Sequence, residues 1–119
     1  MRNRTFVAIA TALLAAVWLV HGCAAPPRSD AGGFDSDNPA ALQHAIRQAG
    51  ADRDESAVPR LIELLNHDDP VVRMLAIGAL ERITGREDRF GYEWQAESPA
   101  ARRAAIDRWE RACREGQLR

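Results

Sequence analysis

The chain has no lysine. All 16 of its basic residues are arginine, set against 17 acidic residues, for a formal charge of −1 over 119 residues. There is therefore no amine for a Schiff base and no P-loop lysine for a nucleotide phosphate. A balance this close to neutral also argues against nucleic acid, which is bound through a basic field. Two cysteines, Cys23 and Cys113, are too few for a disulfide-stapled scaffold. Aromatics are scarce, at 3 Trp, 3 Phe and 1 Tyr, which excludes an aromatic-rich all-β module. The length allows one small domain.

What the sequence does have begins with an asymmetric start. Arg2 and Arg4 precede an uncharged run from Thr5 to Val20, which closes on Gly22 and Cys23. A charged opening, an apolar middle and a small-residue exit mark an export signal. As a helix the run spans roughly 24 Å, short of the roughly 30 Å hydrocarbon core of a bilayer, so it reads as a removable signal and not as a permanent span. Removing residues 1–22 leaves 97 residues with 14 Arg, 17 acidic residues and a charge of −3.

The four residues Val20-His21-Gly22-Cys23 resemble the lipobox that ends the signal peptide of bacterial lipoproteins, with His21 at a step where that family has a small residue. The resemblance implies cleavage before Cys23 and acylation of its thiol. Two or more acyl chains anchor stably, because each buried methylene contributes about 0.8 kcal/mol. In that family an Asp after the cysteine favours retention at the inner membrane. Ala24 stands there, so the expected address is the outer membrane, facing the periplasm, where the cell has one. Cys113 is then left without an intramolecular disulfide partner and reads as a small packing residue.

Residues 24–37 (AAPPRSDAGGFDSD) hold Phe34 as their one large apolar side chain, and are expected to form a flexible tether reaching roughly 20 Å. The expected organisation is a signal at 1–22, an acylated Cys23 with linker at 23–37, and an α-helical domain at 38–116.

Three pairs, Asn38-Pro39, Asp69-Pro70 and Ser98-Pro99, join a capping side chain to proline at the first helical position. Helices are predicted over 39–49, ending at Gly50; over 56–66, with Ser56 as its cap; over 70–84, ending at Gly85; and over 99–115, before Gly116. Asp52 with Glu55 has the spacing of a capping box. Residues 85–97 carry Phe90, Tyr92 and Trp94 without a helical stripe and are predicted to be an ordered loop. No convincing strand pattern occurs.

Aligning the starts shows a repeat. Pro70, Arg73, Ala76 and Ile77 match Pro99, Arg102, Ala105 and Ile106 in spacing, and Pro39, Leu42, Ala45 and Ile46 fit the same frame. Such a period belongs to helical solenoids. The segment from Ala57 to Leu80, with its Pro-bearing first helix, Asp-rich turn and Val-Arg second helix, resembles a short bacterial HEAT repeat. The resemblance implies an all-α stack of helical hairpins, an α-solenoid fragment, and a ladder joining Asp69 to Arg73 and Arg102. Few repeats are present, so Phe90, Tyr92, Trp94 and Trp109 are expected to close an open end of the stack.

No catalytic constellation is visible. His44 and His67 lack cysteine partners at zinc spacing, and no serine sits in a nucleophile elbow. The reading is of a non-enzyme without cofactor, metal or small-molecule substrate. Phe90, Tyr92 and Trp94 are the candidate partner-binding patch, since aromatics are typical interface anchors. The expected function is a membrane-anchored envelope lipoprotein whose helical domain binds another envelope protein. The alternative is an accessory subunit of an envelope or secretion assembly, fully ordered only in its complex.

Overall fold

The computed structural model describes residues 33–118. Four α-helices follow in order: α1 (Pro39–Asp52), α2 (Val58–Leu64), α3 (Pro70–Thr84) and α4 (Pro99–Arg114). Single 3-10 turns at Glu55–Ala57 and Arg89–Gly91 join them, and no strand occurs among the described residues. The expected signal segment and Cys23 lie outside the described residues. Among those described, no helix is long and apolar enough to cross a membrane.

The predicted starts of α1, α3 and α4 match their capping chemistry. The side chains of Asn38, Asp69 and Ser98 accept hydrogen bonds from the amides of Ala40, Val71 and Ala101, with proline at the first turn in each case. Gly85 ends α3 in the left-handed region (φ 69°), its amide donating to the Glu81 carbonyl.

Other boundaries differ from expectation. α1 runs through Gly50 and stops at Arg53, which takes the left-handed cap conformation itself (φ 51°). Gly50 answers a packing need instead: a Cβ there would lie 3.0 Å from the Cα and 3.1 Å from the Cβ of Ala79 on α3. Ser56 does not cap α2, which begins at Val58 without a side-chain cap; Asp54 caps the 3-10 turn that leads into it, its carboxylate accepting from the amide and hydroxyl of Ser56. Asp52 forms no capping box. It lies inside α1 and accepts from Gln48. Folded structure also reaches back past Asn38, because Phe34 packs against the core while Arg60 of α2 binds the Phe34 carbonyl and the Asp35 carboxylate.

α1 packs against α3, and α2 packs against both α3 and α4. The repeat frame carries this packing: Leu42, Arg73 and Arg102 are buried at one register position, Ala45, Ala76 and Ala105 at the next, and Ile46, Ile77 and Ile106 beside them. Leu61, Leu65, Leu80 and Trp109 complete one continuous apolar core. The chain is thus an all-α, solenoid-like stack of helices.

Candidate functional site

The aromatic connection between α3 and α4 holds the candidate binding residues, and its backbone is unusual. Arg89, Phe90 and Gly91 are successive left-handed residues (φ 49°, 51° and 74°). For the two that carry side chains this conformation costs on the order of 1–3 kcal/mol each, so something must hold it. Three interactions do. The Trp109 indole donates to the Arg89 carbonyl at 3.0 Å, Arg108 donates to the Phe90 carbonyl at 2.8 Å, and the Phe90 ring meets Trp109 edge to face with centroids 5.0 Å apart. Arg86 lies over the Phe90 ring, 4.1 Å from its centroid.

Beyond this turn the three aromatics part. Tyr92 is 1% exposed and its hydroxyl donates to the Leu65 carbonyl at the end of α2. It therefore offers no surface to a partner, which corrects its place in the candidate patch: in so short a stack its ring is needed to fill the core between α2 and α4. Burial pushes its pKa up to about 12, against the pull of the Arg73 and Arg102 charges, which favour the phenolate. Phe90 is half-buried on Trp109. Trp94 is half-buried against the core edge, flanked by exposed Glu93 and Gln95. Of the patch named from sequence, Trp94 and the rim of Phe90 remain at the surface.

The expected Asp69–Arg73–Arg102 ladder takes another form. Asp69 caps α3 and makes no ion pair with either arginine. Arg73 reaches backward past the cap, its Nη1 donating to the carbonyls of His67 (2.7 Å) and Asp68 (2.8 Å), and its Nε to Trp94 (3.1 Å). Arg102 repeats the move one unit later, Nη1 donating to the carbonyls of Ala96 and Glu97. A carboxylate is not required, because the turn before a proline-started helix exposes carbonyls that need donors, and the two hydrogens of one arginine Nη1 supply two at once. Arg73 thereby ties the first turn of α3 to the aromatic connection.

No group of three or more metal-ligating side chains occurs among the described residues. Cys113 is half-buried beside the core and unpaired.

Residues 33–90, just under half of the chain, match the family model of HEAT repeats. No curated protein and no solved structure matches the chain. The matched span covers α1, α2 and α3, ends within the strained turn at Phe90, and begins next to Phe34, which packs against the core. HEAT repeats generally serve contact between proteins, and are typically not enzymes.

Proposed function

We propose that this protein is a lipid-anchored lipoprotein of the bacterial cell envelope whose HEAT-like domain binds another envelope protein. The observation that carries the reading is the joining of two features on one chain. A charged-then-apolar start ends at Val20-His21-Gly22-Cys23, and a HEAT-repeat match begins ten residues later. An acylated Cys23 would hold the domain beside a membrane. The intervening segment from Ala24, rich in Pro, Gly, Ser and Asp, would let it stand clear of the lipid. Outer-membrane placement facing the periplasm follows from Ala24 where an outer membrane exists.

On this reading the partner meets Trp94 and the exposed edge of Phe90, next to a turn rigidified by Arg73, Arg108 and Trp109. A pre-organised turn loses little freedom on binding, and a half-buried tryptophan offers a large contact area. The test is a crosslinking pull-down from native membranes with the full chain, Trp94→Ala and Cys23→Ser. The reading expects one protein captured by the full chain, sharply less with Trp94→Ala, and none with Cys23→Ser. Equal capture by all three overturns it.

A further inference from the structure

We propose that the protein segment received at Trp94 carries arginine, and that its guanidinium lies on the indole, drawn there by the unpaired carboxylates of Asp68, Glu93 and Glu97. This rests on the partner-binding reading above and names the chemistry of the partner.

The connection between α3 and α4 shows such a contact once and lacks it once. Two of its aromatic rings reach the surface, Phe90 and Trp94. Phe90 already holds a cation, the Arg86 guanidinium over its ring. No cation lies over Trp94 among the described residues, although tryptophan is the ring that attracts one most strongly. The arginines around Phe90 are also engaged, Arg86 with Asp88, Arg89 with Glu81, and Arg108 with the Phe90 carbonyl.

Charge near Trp94 has the opposite sign. From Phe90 to Ala101 the sequence holds no basic residue but carries Glu93 and Glu97, and from Leu61 to Glu81 its one arginine is Arg73. A single Arg73 side chain binds the carbonyls of Trp94 and Asp68, which sets Asp68 beside the turn that bears the indole. Asp68, Glu93 and Glu97 are exposed, and none forms an ion pair among the described residues. Asp69 is occupied as the cap of α3, and His67 adds no charge while its Nδ1 accepts from the Asp69 amide. The local cations, Arg73 and Arg102, are buried and committed to main-chain carbonyls. The surface around the indole is therefore acidic and has no arginine of its own to satisfy it. A guanidinium fits both demands, because its plane stacks on a ring while its edge donates to carboxylates. The same charges repel an anionic lipid surface, which makes the bilayer a poor occupant.

The test uses the full chain, with its tryptophan side chains labelled with 15N, in a neutral detergent. It is titrated with a peptide of Gly-Ser-Arg repeats and with the Gly-Ser-Glu counterpart. The expected result is movement of the Trp94 indole N–H resonance, assigned with Trp94→Phe, by the arginine peptide alone. The Trp109 resonance, from an indole bound to the Arg89 carbonyl, stays in place. Joint Asp68→Asn, Glu93→Gln and Glu97→Gln leaves the Asp69 cap and the arginine clamps intact and weakens binding by about tenfold, the scale of several exposed charge pairs lost together. No response to either peptide, an equal response to both, or an affinity indifferent to the three carboxylates overturns the proposal. Capture from membranes that depends on Trp94 but ignores these carboxylates overturns it and leaves the partner-binding reading standing. Capture that ignores Trp94 as well overturns both.

Discussion

Arg73 and Arg102 are the same residue used twice: each sits at the fourth position of a proline-started helix and clamps the carbonyls five and six residues before it. The two differ at Nε, which in Arg73 donates to the Trp94 carbonyl and in Arg102 is buried without a partner among the described residues. Arg73 therefore joins two turns, whereas Arg102 secures one.

The clamp predicts an order of stability losses. Arg73→Ala removes three bonds from a charged, buried donor and is expected to cost about 2–4 kcal/mol. Arg102→Ala costs less, and Arg73→Lys recovers only part of the loss, because a single ammonium cannot meet the His67 and Asp68 carbonyls and the Trp94 carbonyl together as Nη1 and Nε do. Asp69→Ala costs about 1 kcal/mol through its cap alone. A double-mutant cycle in urea separates the clamp from a ladder. Coupling between Asp69 and Arg73 near zero is expected, and coupling above about 1 kcal/mol would restore the ladder.

Tyr92 gives a pH dependence whose sign follows from its surroundings. Burial raises the folded-state pKa from 10.0 to about 12, so at pH 11 the unfolded chain has released the proton that the folded chain still holds. The contribution is complete below pH 10 and is lost as pH rises toward 12, on the order of 2 kcal/mol in total. Urea midpoints measured from pH 8 to 12 should fall over that window. Tyr92→Phe should remove this part of the slope, at a cost of about 1 kcal/mol near neutrality.

The two helical glycines should respond in opposite directions. Gly50→Ala presses a methyl onto Ala79 and separates α1 from α3, lowering the thermal midpoint. Gly78→Ala meets open space and should raise stability by about 0.5–1 kcal/mol. Differential scanning calorimetry on both variants is the check.

The tryptophans should also separate. Trp109 is fully buried and holds the strained turn through its indole, so Trp109→Ala is expected to cost about 3–5 kcal/mol. Trp94 contributes its backbone carbonyl to Arg73, and Trp94→Ala leaves that bond in place. Its loss should be well under half as large, with the main effect on partner capture.

Features decided within a few residues were legible in the sequence. The caps Asn38, Asp69 and Ser98 satisfy amides next to them, and the repeat of Pro, Arg, Ala and Ile follows from one helical period, so both appear in the linear order of residues. What depends on a distant neighbour was not. Gly50 has the look of a helix stop, and only the approach of Ala79 shows why it lies inside α1. Arg73 and Arg102 were recognisable as equivalent, yet their acceptors are main-chain carbonyls, which no side-chain pattern displays. Tyr92 lies in a charged, glycine-bearing segment that reads as surface, and is buried because the connection folds across the end of α2. Phe34 was too isolated to signal a core residue, although it packs there.

The account rests most heavily on a thiol outside the described residues. Mass spectrometry of the amino-terminal peptide, from the full chain recovered from its host's membranes, tests it directly. The account predicts a chain that starts at Cys23 and carries fatty acyl groups, with Cys23→Ser neither processed nor retained by the membrane. A chain that keeps residues 1–22 and is recovered unacylated from the soluble fraction would contradict it.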